Sequence, residues 1–501
     1  TKTETPASES PASETPVQED KMFNVVLTAP FTGFDPLRTN DSASTYVNAQ
    51  IYETLYRIAA DGSYTPLLAE SLPEYSEDGL SATVKLRQGV KFQDGTDFNA
   101  EAVKYTFDLI MDPDFGSARA SLAASIDSMD ILDDYTIRFN LKYEDGVLTA
   151  KLAHTNSAIV SPTAQANQDL MVDPCGTGPY KFVSSVSGSD VVLTRNDDYW
   201  GDAPTIKDVT MTIITDESTA LARLETGEAD FMPVLSVESI SRVESMSNVT
   251  FATSDAAQIY YVALRPNSYI NPLMANLDFR TAIVKALDRE GYVDYVMENY
   301  ATYAKSIIGP SVFGYDESIE SHNIGYDLEG AKKLIEDNGW QDEVIKFLVP
   351  STPAYTPMGE YFQANLKAAG FNNVEIEAID WSAWLTESKT DNRFDITLAA
   401  WSNVTRDGTE LLEPNWHSVN SSKRTRVDSP VLDQLIEEGK MTADDTVRLE
   451  KLAEANNFLM DNADVAPVYN NINRFAFNSA YANVTLDAGG TFYLKDFTFA
   501  Q

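Results

Sequence analysis

GTGPYKFVSSVSGSDVVLTRNDDYW, residues 176–200, sets the architecture of the chain. Glycine permits positive φ, and Pro179 fixes its own φ while steering the residue before it out of the helical region, so Gly176-Thr177-Gly178-Pro179 is a sharp turn. Two extended runs follow, 180–183 and 191–194, separated by the serine- and glycine-rich SSVSGSD. That pattern predicts a hairpin. Arg195-Asn196-Asp197-Asp198-Tyr199-Trp200 closes the stretch, polar and then aromatic, as the rim of a sheet.

A chain of 501 residues exceeds what one hydrophobic core serves, so about two or three domains are expected. Lys plus Arg number 37 against 76 Asp plus Glu, a net charge of −39. Such a surface repels phosphate backbones and anionic lipid headgroups, which argues against nucleic acid and against electrostatic membrane binding. Cys175 is the only cysteine, excluding an intrachain disulfide and any Cys-rich zinc or iron–sulfur site. No apolar run reaches the roughly 18 residues of a membrane-spanning helix. The first residues, TKTETPASESPASETPVQED, repeat Pro-Ala-Ser-Glu at 6–9 and 11–14. Low hydrophobicity with Pro, Ser, Thr and Glu predicts a disordered tether over 1–21.

From Met22 the pattern changes. Residues 22–30, MFNVVLTAP, read as a buried strand, and Val47, Ile51 and Leu55 share one face of a helix expected over 42–56. Asp78-Gly79 is a hairpin signal; Ala82, Val84 and Leu86 alternate with polar residues as a half-buried strand requires. Asn99 caps a helix whose Val103, Phe107 and Ile110 share a face, and Tyr135, Ile137, Phe139 and Leu141 mark another strand. Further on, Val209, Met211 and Ile213 alternate, a helix over 217–225 stops at Gly227, and 258–264 forms an aromatic strand. A helix over 277–292 is expected from Phe279, Ile283 and Leu287, and one after Asp327 ends at Asn338-Gly339.

These stretches carry a resemblance. G-T-G-P-Y, a hairpin and R-N-x-x-Y-W; L-A-x-S, D-G and K-L-R-x-G-V-K-F-x-D-G-x-x-F-x-A-x-x-V over 67–110; and A-x-x-x-L-x-x-G-E-A-D within 213–231 resemble family 5 of the extracytoplasmic solute-binding proteins. That family serves dipeptide, oligopeptide and nickel ABC transporters, and the likeness covers roughly 22–501. It implies an α/β, two-lobed periplasmic-binding-protein fold of the large three-domain type, with mixed sheets flanked by helices and a hinge between lobes. Domain I would be 22–58, 178–263 and 480–501, an inserted domain II 59–177, and domain III 264–479. The implied function is capture of a small peptide or peptide-like solute by hinge closure and its delivery to ABC permease subunits. The protein would be an extracytoplasmic monomer without cofactor or resident metal. Residues 1–21 would follow the lipidated cysteine of a bacterial lipoprotein that lies outside this sequence. The family's other ligands keep a nickel or other metal chelate, a haem and a sugar as alternatives.

Enzymatic motifs are absent: no G-x-S-x-G, G-x-x-x-x-G-K-[ST], G-x-G-x-x-G or H-E-x-x-H occurs, and His154, His322 and His417 are far apart. The rival from another class is an acidic secreted hydrolase. Ligand chemistry is expected in FDITLAAWSNVTRDGTELLEPNWHS, residues 394–418. In dipeptide- and oligopeptide-binding relatives an acid three positions after the tryptophan meets the peptide ammonium; after Trp401 that position is Val404. A buried ammonium needs a charged partner, so either Asp407 supplies it, with Arg406 for a ligand carboxylate, or the ligand has no free amino terminus. The spacing W-x3-T-x-D, then L-x-P and H-S, resembles the branch that includes glutathione and modified-peptide binders. The ligand-binding residues implied are Phe34, Tyr46, Tyr260, Trp381, Trp384, Trp401, Ser402, Asn403, Thr405, Arg406, Asp407 and Tyr469, the aromatics offering stacking faces. His417, without a second histidine nearby, is weak support for a chelate.

Overall fold

The computed structural model describes residues 21–59, 63–390, 393–419 and 424–500. Apart from Lys21, the tether expected at the start lies outside them. Among the described residues the dominant element is an eleven-stranded sheet. Its strands are β1 (Phe23–Leu27), β2 (Tyr180–Val186), β3 (Asp190–Arg195), β4 (Asp208–Ile213), β5 (Phe231–Met232), β6 (Val249–Leu264), β7 (Ala301–Tyr303), β8 (Val344–Pro350), β9 (Asn373–Ile379), β10 (Ile396–Ser402) and β11 (Val465–Asn478). They run in the order β9-β8-β10-β6-β11-β5-β1-β4-β3-β2, with β7 on β11. Parallel and antiparallel pairs mix: β1 lies parallel to β4 and β5, and β6 antiparallel to β10 and β11.

The two ends of this sheet belong to different cores. Phe23, Val25, Val209, Met211 and Phe231 pack with Tyr481, Phe492 and Phe497 near the end of the chain, so the early strands and the final segment share one lobe. At the other end Val262, Leu264, Phe347 and Leu398 face one core, while Tyr261, Ala399, Trp416 and Leu452 face a second on the opposite side. β6, 16 residues long, and β11, 14 residues long, run through both lobes. Their mutual register slips between Asp255 and Ile259 and again between Tyr260 and Tyr261. An irregular ladder bends and twists more than a regular one, so these two strands are locally bent where they pass between the cores. A separate four-stranded sheet of Glu74–Tyr75, Ser81–Lys85, Thr136–Leu141 and Ile126–Asp133 packs its Val84, Ile137 and Phe139 into the first lobe's core.

The stretch 176–200 reaches this lobe through close approach. A Cβ on Gly176 would stand 2.2 Å from the carbonyl oxygen of Ile51, and Gly178 donates its N–H to the same oxygen at 2.8 Å. Glu53 then gathers three donors from the stretch: Thr177 Oγ1 at 2.9 Å, Tyr199 Oη at 2.7 Å and Trp200 Nε1 at 2.8 Å. Burial raises its carboxyl pKa, which the three hydrogen bonds oppose.

Three local expectations change. The hairpin loop is shorter than SSVSGSD, because Ser184 and Ser185 stay in the ladder and Gly188, at φ +71°, makes the turn. The helix expected over 42–56 is Ser42–Ile51: Tyr52 is extended, its N–H caps the carbonyl of Asn48, and Leu55 reaches the core from irregular backbone. The helix expected over 277–292 is two, Leu277–Ala286 and Arg289–Tyr295, because Asp288 caps the second by accepting from Gly291 N at 2.9 Å.

Candidate functional site

A cavity of about 370 Å³ lies where the inserted segment of the first lobe meets the second lobe. From the first lobe come Arg119, Leu122, Tyr143, Val147 and Lys151; from the second come Trp401, Thr405, Glu410, Glu413, Pro414 and Lys440. Trp401, near the end of β10, pairs in register with Ile259, and its Nε1 is buried without an acceptor among the described residues. After β10 the chain turns through Asn403 to Asp407 into the helix Gly408–Trp416.

That turn is built from within. Asn403 donates Nδ2 to the carbonyl of Asp407 at 2.7 Å and accepts from Asp407 N at 3.1 Å. Arg406 takes φ +55°, a left-handed conformation costly for a residue with a Cβ, and donates to the carbonyl of Ala59 across the lobes at 2.6 Å. Tyr64, also from the first lobe, donates to the carbonyl of Thr405 at 3.1 Å. Asp407 caps the following helix through Thr409 N at 2.9 Å, and its other oxygen receives Arg448. Asp407 is 1% exposed. Burial opposes the charge on Arg448, but the Asp407 carboxylate outweighs it and holds the guanidinium above its ordinary pKa.

Asp407 therefore already has its cation. The expectation that it meets a ligand ammonium is corrected by this pairing: a buried carboxylate committed to a guanidinium and a helix cap has no free oxygen directed at a solute.

The charges left on the cavity wall are others. Lys151 pairs with Asp145 at 2.6 Å and Lys440 with Glu413 at 2.7 Å. Arg119 and Glu410, one from each lobe, have no ion-pair partner among the described residues. Arg119 donates Nε to Asn40 Oδ1 at 3.0 Å. Glu410 Oε2 accepts from Thr405 N at 2.9 Å and from the Thr405 hydroxyl. Burial raises the Glu410 carboxyl pKa, while the Thr405 hydrogen bonds and the positive field of Arg119 oppose the shift. One wall thus offers a cation and the other a carboxyl group with an indole beside it.

Of the residues expected from the sequence, Trp401 and Thr405 line this cavity, and Arg406 and Asp407 stand behind it. Ser402 falls on the other face of β10, where it accepts from Gln258 at 2.9 Å. On that face Tyr260 stacks on Tyr469 with centroids 4.4 Å apart and meets Tyr355; from Tyr355 the rings run on through Trp381 to Trp384, which packs in the core of the opposite face. Trp384 is a core residue: it donates to Thr397 Oγ1 at 3.0 Å and carries Arg424 over its ring at 4.7 Å. Phe34 is packed between Phe31 and Phe182, and Tyr46 against Phe492, its phenol pushed up to about 12 by burial. Phe34, Tyr46, Trp384 and the Tyr260–Tyr469 pair thus lie away from the cavity that Trp401 lines.

Arg119 and Glu410 were not legible beforehand. Glu410 stands three residues after Asp407, the spacing of a capping box, so its pattern reads as helix chemistry. Arg119 precedes a short 3₁₀ turn and carries no local signal.

A family profile described as bacterial extracellular solute-binding proteins, family 5 middle, matches residues 63–423. The glutathione-binding protein GsiB of Pectobacterium atrosepticum is 31% identical over 321 residues, 63% of this chain and 61% of that protein. The chain therefore matches about three fifths of the length of this curated relative. Among solved structures, the ABC transporter substrate-binding protein CtaP of Listeria monocytogenes superposes with a TM-score of 0.86 at 23% identity, covering 97% of this chain and 100% of that one. HbpA2 of Haemophilus parasuis gives 0.84 at 22% identity, covering 96% and 100%.

Proposed function

Since the chain belongs to family 5 of the bacterial extracellular solute-binding proteins, we propose that it captures a small zwitterionic peptide or peptide-like solute between its lobes and hands it to the permease of an ABC importer. The carrying observation is the cavity itself: Arg119 on one wall suits a ligand carboxylate, and on the other wall Glu410 suits an ammonium and Trp401 offers an aromatic face. Glu410 takes the role that Val404 lacks. A glutathione-binding protein among the relatives supports this ligand class, since glutathione carries an ammonium and two carboxylates on a peptide frame. In this reading the protein is not an enzyme, works as an extracytoplasmic monomer held by a lipid anchor, and divides into domain I (22–58, 178–263, 480–501), domain II (59–177) and domain III (264–479).

Titration calorimetry with reduced glutathione and a panel of short peptides tests the site. Glu410→Gln and Arg119→Gln are each expected to weaken the tightest binder by about 1.5 to 3 kcal/mol, the scale of a charge-assisted hydrogen bond. N-acetylation of that peptide should reproduce the Glu410→Gln loss in the wild type and add nothing in the variant. Unchanged affinity in both variants would remove the site.

The raised pKa of Glu410 adds a pH dependence. A carboxyl shifted upward protonates at a higher pH than an ordinary one, so affinity for a cationic amino terminus is present above the raised pKa and lost as pH falls through it. Affinity measured from neutral into acidic buffer should fall in the wild type and stay flatter in Glu410→Gln.

A further inference from the structure

Beside the cavity, the first lobe's turn 144–146 grips the turn that joins two helices of the second lobe, Pro430–Lys440 and Asp445–Asp461. Gly146 donates its N–H to the carbonyl of Lys440 at 3.1 Å, and Glu144 accepts from Ala443 N. The Lys440 carbonyl is of the kind a helix leaves unpaired at its C-terminus, and the Ala443 N–H belongs to the residue just before the N-cap of the next helix. The carboxylate of Glu144 also faces the positive end of a helix dipole. Tyr143 completes the grip, its ring 5.6 Å from the ammonium of Lys440.

The space at Gly146 is set by the other lobe. A Cβ there would stand 2.1 Å from the carbonyl oxygen of Thr442 and 2.5 Å from Nε of Arg448, both in the other lobe. Its φ is not in the left-handed region, where glycine would be required for its own sake. The glycine is thus demanded by the neighbouring lobe and not by its own turn, and an alanine would be tolerated wherever the lobes stand apart.

We propose that Glu144 and Gly146 are positioning residues, an interlobe latch that holds the second lobe over the cavity and sets solute affinity without touching solute. The latch closes the protein in the absence of solute; its effect on affinity rests on the proposed ligand cavity. If opening leaves only about a tenth of the molecules competent to bind, apparent affinity drops about tenfold.

Small-angle scattering of the solute-free protein reads the latch directly. Gly146→Ala and Glu144→Ala should each increase the radius of gyration over wild type, whereas Glu144→Gln, which keeps the acceptor oxygen, should stay compact. The thermal unfolding midpoint of Gly146→Ala should remain near wild type; should that variant fail to fold, Glu144→Ala decides. Affinity for reduced glutathione should fall about tenfold in the two expanded variants and recover in Glu144→Gln. Scattering curves identical to wild type in both alanine variants overturn the latch whatever glutathione does. If glutathione and the peptide panel fail to bind wild type while the alanine variants still expand, the latch stands and the ligand assignment falls.

Discussion

Asp407→Asn is expected to destabilise the second lobe by about 3 to 5 kcal/mol, the cost of breaking a buried ion pair from one side. Asparagine caps a helix as well as aspartate does, so the cap to Thr409 survives and the loss isolates the charge pairing. What remains is a guanidinium in a site where its side chain is 4% exposed, stacked 4.5 Å over Phe313 and bonded through Nε to the carbonyl of Gly439. Its remaining carboxylate is Asp445, 3.6 Å away and 75% exposed, a weak substitute for the buried partner; adding Arg448→Met removes the under-compensated charge and keeps an unbranched chain against Phe313, so the double variant should recover most of the loss. Denaturant unfolding followed by tryptophan fluorescence measures both. An unchanged midpoint in Asp407→Asn, together with lost solute affinity, would return this carboxylate to the ligand.

Glu53→Ala is expected to lower stability by about 3 to 5 kcal/mol in the first lobe, because three donors lose their common acceptor at once and each unsatisfied buried donor costs about 1 to 3 kcal/mol, not fully additively. The expected symptom is local: proteolysis and faster amide exchange in 176–200, where Thr177, Tyr199 and Trp200 are tied to the helix end that Glu53 follows. Glu53→Gln should fall between, keeping one acceptor oxygen and an NH₂ that the Thr177 or Tyr199 hydroxyl can accept but the Trp200 indole N–H cannot. The pH dependence has a definite sign. Burial raises the folded pKa of Glu53 above its unfolded value, so its contribution to stability is larger below the ordinary carboxylate range and declines as pH rises toward the raised pKa. The stability difference between wild type and Glu53→Gln should shrink across that rise. A difference that grows instead would mean the carboxylate is stabilised in the charged form.

What could be read in the residues beforehand divides by the range of the force. Asn99, Asp327, Gly227 and Gly339 act on their own helix ends, and the structure has the helices they imply: Ala100–Met111, Leu328–Asn338 and Glu217–Thr226. Alternation likewise maps onto strands whose Ala82, Val84, Ile137, Phe139, Leu141, Val209 and Met211 point inward, while Ile213 is only half-buried. The misses occur where one local signal overrode another: Asp288, which sits inside a continuous apolar helical pattern, is a better cap than a helix interior residue, and Tyr52 ends a helix whose periodicity continues on paper. The site was half legible. Trp401 and Thr405 follow from strand and loop order, but whether Asp407 or Glu410 faces solute depends on where Arg448 lies, and that is decided by the packing of a helix beginning nearly forty residues later. Arg119 enters only through the meeting of two lobes, which no periodicity encodes.

The most direct measurement is a crystal structure of the protein with the tightest-binding member of the peptide panel. Electron density is expected between Trp401, Arg119 and Glu410, with the solute's carboxylate on Arg119 and its ammonium on Glu410. Density instead on the opposite face of β10, against Ser402, Tyr260 and Trp381, would contradict that placement.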